Sequence, residues 1–309
     1  MGFDPTDDPP IHFFTIVLNG EPFIRHHLEV FQQLPFRWHW HIIEGVAALA
    51  HDTAWSLANG GRIDPACHAG GLSNDGTREY LDALLRDRPG QVTVYRKPGG
   101  AFWNGKLEMA NAPLANIQEP CLLWQVDVDE YWTPEQIIAC RRLFQEDPEP
   151  RAAFFRCHFY VGPELVVSSR ETYGNNSSVD WLRVWRFQPG NRWTSHEPPM
   201  LVGRWQLLHA GFRRLLGKRP KVRLKNLKAF SHAVTEAHGL VFTHLAYVLP
   251  IQVAFKEQYY GYRGARQQWE TLQAQERFPV ALKDYFPWVK DGATVNRASD
   301  QGLPPWVNP

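Results

Sequence analysis

Four short apolar segments, each followed by helical spacing or a helix-start signal, organise the first half of the chain. The apolar segments are rich in bulky and β-branched residues and have the length of single strands, which is typical of strands buried on both faces of a sheet. They cover residues 11–20, 38–43, 91–95 and 121–126. Because strands alternate with helices, we predict a mostly parallel sheet with right-handed crossovers.

The regular alternation stops at two places. Residues 47–74 have mixed polarity and little periodicity, so we predict an inserted loop over the edge of the sheet. Beyond residue 150, apolar positions recur at every second residue, which predicts a smaller, partly antiparallel layer. Its strands are expected at residues 152–161, 165–169 and 181–187. Residues 250–276 have the pattern of one long helix, and the proline-containing tail after them is expected to be irregular.

These patterns predict an α/β fold with a mixed, mostly parallel sheet flanked by helices, a smaller antiparallel layer and a C-terminal helical extension. A chain of 309 residues is long enough to bury a sizeable core as one large domain with an extension. We therefore expect a main domain over residues 1–245. Residues 246–309 are expected to form a helix and an irregular tail that pack on it.

The composition narrows the class of protein. Hydrophobic residues make up 44% of the chain and charged residues 21%, which is ordinary for a soluble globular protein. The N-terminus lacks a signal pattern, and no apolar stretch approaches the roughly 20 residues of a membrane span. The four cysteines are widely spaced, which predicts free thiols in a reducing compartment. We therefore expect a soluble, cytoplasmic protein without a membrane span.

The fourth apolar segment ends in a group of carboxylates. Asp127 and Asp129 are two residues apart, so on an extended chain they share one face, at the edge where open α/β sheets bind ligands. Such oxygen ligands suit Mg²⁺ or Mn²⁺, which take their remaining ligands from substrate phosphates and water. Thr133, followed by Pro134 and Gln136, predicts that a helix starts just beyond the acids. The alternative interpretation is the solvated start of a loop.

Four segments within residues 11–245 form an ordered set of motifs. They are residues 15–21, Asn74-Asp75-Gly76-Thr77, Asp127-Val128-Asp129, and Arg183 to Phe187 with Gly190, Arg192 and His196-Glu197. This set resembles the GT-A glycosyltransferases, most of all the family-2 type that inverts the anomeric centre. In most members the aspartate–glycine turn follows the second strand directly. Here Glu44-Gly45 occupies that place, so Glu44 and Asp75 are both candidates for contacting the base or ribose.

The resemblance implies a hexosyl- or N-acetylhexosaminyltransferase that uses a nucleoside diphosphate sugar. We expect uridine diphosphate sugars first and guanosine diphosphate sugars second, with a glycan or another hydroxyl compound as acceptor. Mn²⁺ or Mg²⁺ would stabilise the charge that grows on the diphosphate leaving group. The residues expected to contact the donor are Asn19, Glu44, Asp75, Lys106 and Asp127, and those expected to bind the metal are Asp127, Asp129 and His244.

Two of these assignments have open alternatives. His244 ends a predicted strand, and its imidazole suits Mn²⁺ better than Mg²⁺. It is equally compatible with a structural histidine, and His196 and His158 are further candidates. Lys106 opens a predicted helix, where it either meets the donor or is a solvated lysine.

Glu197 is the candidate general base. An inverting transfer needs one group that takes the acceptor's proton, and a carboxylate within hydrogen-bond reach is sufficient. Glu197 is the only acid between Asp180 and Glu236, and aromatic and proline residues flank it. The alternative is a surface glutamate paired with Arg186 or Arg192.

Two other classes of protein remain open. A nucleotidyltransferase also pairs carboxylates after a strand to bind Mg²⁺, but the first strand lacks a glycine-rich phosphate loop followed by a basic residue. The basic run from Arg213 to Lys228 is compatible with binding of nucleic acid or an anionic glycan through phosphate or other acidic groups. It is also compatible with a solvated, mobile loop that covers the active site or engages an anionic acceptor. No nucleic-acid motif surrounds this run, and the net charge of +1 gives no global basic character. We therefore expect no nucleic-acid partner.

Overall fold

A seven-stranded sheet forms the centre of the protein in a computed structural model. The structure describes residues 9–48, 63–170, 173, 180–196, 199–203 and 227–307. The strands are β1 Ile11–Val17, β2 Trp38–Glu44, β3 Val92–Tyr95, β4 Cys121–Gln125, β5 Glu130–Tyr131, β6 Ala152–Phe154, β7 Arg156–Phe159, β8 Leu165–Val167, β9 Leu182–Phe187, β10 Arg192–Ser195, β11 Met200–Val202, β12 Ala229–Phe230, β13 Val241–His244, β14 Val280–Ala281 and β15 Thr294–Arg297. The helices are α1 Ile24–Phe31, α2 Thr77–Asp87, α3 Lys106–Asn111, α4 Pro134–Glu146, α5 His232–Ala237, α6 Pro250–Tyr260 and α7 Ala265–Gln273.

The strand order of the central sheet is β12-β6-β9-β4-β1-β2-β3. Strands β4, β1, β2 and β3 are parallel neighbours, and they are the four strands predicted from the apolar segments. Smaller sheets formed by β10 with β11, and by β14, β15 and β8, are antiparallel. The predicted α/β class, with a mostly parallel sheet flanked by helices and smaller antiparallel sheets, is therefore confirmed.

Two strands assigned to the smaller layer lie in the central sheet instead. Strand β9 pairs antiparallel with β4 on one side and with β6 on the other. All six residues of β9 are buried, so both of its faces are covered. A pattern with period two locates a strand but does not identify its neighbours, which is why the sequence placed β6 and β9 wrongly.

Helix α4 begins as predicted. The Thr133 hydroxyl accepts a hydrogen bond from the Gln136 N–H, and the Gln136 side chain accepts one from the Thr133 N–H. This capping box satisfies two backbone donors that a helix start otherwise leaves unpaired.

The C-terminal segment differs from the prediction in two ways. The expected long helix is two helices, α6 and α7, because the backbone turns through Gly261 and Gly264 at φ of 78° and 74°, a conformation that favours glycine. The tail is also not wholly irregular, since β15 pairs with β8 and β14 pairs with β15. The tail is therefore joined to the preceding part of the chain by backbone hydrogen bonds.

The predicted insertion is described only in part, because residues 49–62 lie outside the described residues. Its end, around Gly70-Gly71, packs backbone against backbone on the turn at Gly100. A Cβ atom on Gly71 would lie 2.1 Å from the Gly100 carbonyl oxygen, so this contact excludes any larger residue. The described end of the insertion is thus held against the turn that follows β3.

Two further expectations concern the cysteines and membrane spans. All four cysteines are buried and free. No helix in the described part of the chain is both long and apolar enough to cross a membrane.

Three histidines form a stacked cluster across β1 and β2. The His12 and His41 rings lie 5.2 Å apart, with 2.9 Å between His12 Nδ1 and His41 Nε2, and the His39 ring is 4.5 Å from that of His41. Burial, with a smaller effect of His39, lowers the pKa of His12 to about 4 and that of His41 to about 2. Glu119 and Tyr95 are polar neighbours of this cluster.

We predict that the protein loses stability as the pH falls from about 6.5 to 4. Unfolded histidines take up protons near pH 6.5, whereas the buried rings stay neutral, so each contributes a loss of up to about 1.4 kcal/mol per pH unit. Denaturant unfolding at several pH values measures this slope. His41→Gln should flatten it, whereas the exposed control His238→Gln should not. An unchanged slope in His41→Gln contradicts the prediction.

Candidate active site

The turn after β4 carries both predicted acids and is fixed by backbone hydrogen bonds. The Glu130 N–H donates to the Asp127 carbonyl at 3.0 Å, and the Leu245 N–H donates to the Asp129 carbonyl at 2.8 Å. The ring nitrogen Nε2 of His27 lies 2.9 Å from the Val128 carbonyl oxygen. One bond within the turn and contacts from α1 and from the segment after β13 thus hold the turn at the carboxyl edge of the sheet.

Asp127 is held by groups from its own strand and from β9. Arg183 Nη2 donates to Asp127 Oδ2 at 2.9 Å, and Gln125 Nε2 donates to Asp127 Oδ1 at 3.1 Å. Burial raises the pKa of Asp127, but Arg183 and the Gln125 amide outweigh it and bring the pKa below its usual range. The Asp127 side chain is still 37% exposed, so this ionised carboxylate is accessible to a ligand.

Arg183 also binds Glu130, whose side chain is completely buried. The guanidinium contacts this carboxylate through Nε at 2.9 Å and Nη2 at 2.5 Å. Burial lowers the pKa of Arg183, but the attraction of Glu130 and Asp127 raises it by more than burial lowers it. The net shift is upward, and the guanidinium stays charged. One arginine therefore links Asp127 and Glu130 to β9.

Asp129 has a different partner. Its Oδ1 lies 3.3 Å from Nε2 of His244, the last residue of β13. The rings of Phe159 and Trp181 meet the His244 ring edge-on, each with centroids 4.8 Å apart. Burial raises the pKa of Asp129, but His244 and then Lys256 outweigh it, so the carboxylate is ionised well below its usual range.

The arrangement fits a divalent metal ion that takes few ligands from the protein. Among the described residues, no group of three histidine, cysteine, aspartate or glutamate side chains is arranged to hold a metal. Asp129 and His244 do form an oxygen–nitrogen pair, and the buried Nδ1 of His244 has no hydrogen-bond partner within the described part of the chain. Mn²⁺ accepts such a pair when phosphates and water complete its shell.

Lysines of two helices, α3 and α6, interact electrostatically beside the candidate site. Lys106, the first residue of α3, has its Nζ 5.4 Å from the centre of the Tyr260 ring on α6. His196 lies in the fields of Lys106, Asp127 and Arg183, and burial lowers its pKa to about 3. Lys256, also on α6, is a residue that the sequence analysis missed, because no motif distinguishes one lysine within an amphipathic helix.

Asn19 organises the loop at the end of β1. It has a left-handed backbone conformation with φ of 60°, its Nδ2 donates to the Cys67 carbonyl at 2.8 Å, and its Oδ1 accepts from the Asn74 N–H at 2.8 Å. Asn19 therefore connects β1 to the segment that precedes α2.

Both predicted base-binding acids take part in internal hydrogen bonds. Completely buried Glu44 accepts from the Ser73 N–H at 3.0 Å and from Arg96 Nε at 2.6 Å. Asp75 accepts from the N–H groups of Glu21 and Thr77, each at 3.0 Å. These bonds position the loops at the sheet edge, and contact of either acid with a nucleotide stays a prediction.

Two sequence assignments fall largely or wholly outside the described residues. Glu197, the candidate base, is one of them. The basic run from Arg213 is the other, except for Lys228, which pairs with Glu149 at 2.5 Å. The roles of both stay predictions.

The comparisons with known proteins give distant structural similarities. No protein-family model and no curated protein matches the chain. A mannosyltransferase, PcManGT from Pyrobaculum calidifontis in complex with GDP-Man and Mn²⁺, is 12% identical, with a TM-score of 0.44 over 89% of this chain and 67% of that chain. Two structures of S. aureus TarS are 11% identical. One has a TM-score of 0.39 over 86% of this chain and 76% of that chain, and the other 0.36 over 57% and 28%.

A fourth structure, a 4-diphosphocytidyl-2C-methyl-D-erythritol synthase, is 12% identical, with a TM-score of 0.32 over 76% of this chain and 98% of that chain. Similarities of this size assign neither a family nor an activity to the chain.

We predict that Arg183→Met lowers the free energy of unfolding by about 3 to 5 kcal/mol, because it leaves a buried carboxylate unpaired. Chemical denaturation measures this loss, and adding Glu130→Gln should recover part of it. Arg266→Met removes an exposed pair with Glu270 and should cost less than about 1 kcal/mol. Equal losses for the two arginine variants contradict a stabilising role for the buried pair.

Proposed function

We propose that the protein is a metal-dependent glycosyltransferase that moves a sugar from a nucleoside diphosphate sugar to an acceptor hydroxyl. The observation that carries the proposal is the turn with Asp127 and Asp129 at the carboxyl edge of a parallel sheet. Arg183 holds the first acid and His244 contacts the second. Open α/β sheets bind nucleotides at this edge, so the acids have the position that a donor diphosphate needs.

In the proposed donor site, Asp129 binds the metal ion and Asp127 contacts the donor. Asp129 and His244 would hold Mn²⁺ or Mg²⁺, which supplies positive charge to the diphosphate oxygens when it is bound. Asp127, kept ionised and oriented by Arg183, is accessible to the donor. Lys106 adds a cation from the start of α3. This preorganised charge suits a leaving group that becomes more negative during the reaction.

The proposed reaction is a single displacement. A bond forms between the acceptor oxygen and the anomeric carbon while the bond from that carbon to the diphosphate breaks, and its electron pair stays on the diphosphate. The acceptor proton passes to Glu197, the proposed general base. Attack opposite the leaving group inverts the anomeric centre. The donor is proposed to be a uridine diphosphate sugar, with guanosine diphosphate sugars second and a glycan or other hydroxyl compound as acceptor.

We predict that chelation abolishes sugar transfer and that Mn²⁺ or Mg²⁺ restores it. Asp129→Asn should weaken donor binding at least about tenfold in the presence of Mn²⁺, because an amide is a poorer metal ligand than a carboxylate. Hydrolysis and transfer assays across a panel of nucleotide sugars, with calorimetric titration of the donor, measure both effects. The exposed control Asp284→Asn should leave them unchanged.

Two outcomes of the same assays would overturn the proposed function. Full transfer in excess chelator would show that the reaction needs no metal ion. Pyrophosphate release from nucleoside triphosphates, without action on any nucleotide sugar, identifies a nucleotidyltransferase instead.

We predict that Glu197→Gln lowers the transfer rate by about a hundred- to ten-thousandfold, the usual cost of removing a positioned base. Donor affinity should survive, because Glu197 is proposed to contact the acceptor. A proton NMR time course should show a β-linked product from an α-linked donor. Near wild-type transfer by Glu197→Gln, or a product that retains the donor's configuration, would show that the base assignment is wrong.

A further inference from the structure

Helix α6 is fixed at both ends against the candidate site. At its start, the Gln252 side chain accepts from the N–H of Leu249 at 3.0 Å and donates to the Leu245 carbonyl at 2.7 Å. Near its end, the Tyr259 hydroxyl donates to the carbonyl of Ala47, just beyond β2, at 3.0 Å. The helix therefore runs from the segment after β13 to the segment after β2, and the residues between these anchors have defined positions.

Lys256 lies between these two anchors, and its ammonium contacts the segment just after β13. Its Nζ donates to the Ala246 carbonyl at 2.6 Å and lies 4.1 Å from the centre of the Tyr247 ring. Ala246 follows His244 by two residues, and Leu245 between them binds the Asp129 carbonyl. The ammonium is thus adjacent to the stretch of chain that contacts Asp129.

The ammonium of Lys256 has hydrogen-bonding capacity to spare. It carries three N–H donors, and its hydrogen bonding to the described residues consists of the one bond to a neutral carbonyl. The Lys256 side chain is half-buried, and burial lowers its pKa while Asp129 raises it, with a net downward shift. Because this single bond leaves donors of the ammonium unused, the position favours binding of an anion.

The partners of the acids indicate how such an anion would be held. Arg183 is already bound to Glu130 and Asp127, whereas the Lys256 ammonium has one neutral acceptor among the described residues. A metal ion bound by Asp129 and the Lys256 ammonium would together offset the negative charge of a diphosphate.

We propose that Lys256 binds the diphosphate of the nucleoside diphosphate donor. This inference rests on the proposed function and deepens it, since it gives the C-terminal segment a part in donor binding. When the glycosidic bond breaks, its electron pair stays on the diphosphate, and the Lys256 ammonium is placed to stabilise that charge through charge-assisted hydrogen bonds. No proton needs to leave the lysine in this step.

Calorimetric titration with Mn²⁺ and the diphosphates and monophosphates of uridine and guanosine tests the assignment. The wild-type protein should bind the diphosphate of its preferred base more tightly than the monophosphate. Lys256→Gln keeps an amide donor but removes the charge, and should weaken diphosphate binding by about ten- to a hundredfold with little effect on the monophosphate. Lys256→Arg should restore much of the preference, and the exposed control Lys283→Gln should not change it.

A second measurement uses only the wild-type protein, so it does not depend on whether a variant folds. The nucleoside diphosphate with Mn²⁺ should protect Lys256 from acetylation by acetic anhydride, relative to Lys283, as read by mass spectrometry. Absence of protection in a protein that binds the diphosphate overturns the assignment of Lys256 alone. So does equal weakening of diphosphate and monophosphate by Lys256→Gln. Failure of the wild-type protein to bind any of these nucleotides overturns the proposed function and, with it, this inference.

Discussion

The buried guanidinium of Arg183 is the contact on which the candidate site depends. It joins β9 to the turn after β4 by binding Glu130 and Asp127 together. Because a guanidinium presents its donors in a rigid fork, it fixes the orientation of the turn as well as its position. Asp129 then faces away from this pair towards β13, where His244 meets it. Two acids of one turn thus acquire separate environments.

This separation has an energetic reason. Buried charges are costly, and a pair of carboxylates close together raises the cost further. Most of the hydrogen bonds of the guanidinium go to Glu130, which is the completely buried acid. Asp127 accepts one hydrogen bond from the same guanidinium and stays partly exposed. Asp129 instead contacts the imidazole of His244. The protein therefore keeps two ionised carboxylates at the sheet edge without surrounding either one completely with cations, which leaves them available to a ligand.

The C-terminal segment takes part in both the fold and the site. Strand β15 pairs with β8, and the buried side chains of Phe286 and Val295 belong to the main hydrophobic core. Helix α6 carries Lys256 to the segment beside Asp129 and packs Tyr259 against the end of β2. The segment that the hydrophobic pattern separated as an extension is therefore integrated with the sheet edge, and a ligand bound there would meet residues from both parts of the chain.

The sequence by itself determined the features that depend on neighbouring residues. Apolar runs located the four parallel strands, and Thr133 and Gln136 located the start of α4, because short-range sterics and hydrogen bonds decide such features. The spacing of Asp127 and Asp129 predicted one shared face of an extended chain, but the backbone turns there and the two acids have different partners. Strand neighbours and side-chain partners depend on contacts between residues far apart in the chain. The place of β9 beside β4, the binding of Arg183 to Glu130 and the approach of Lys256 were therefore decided only by the tertiary structure.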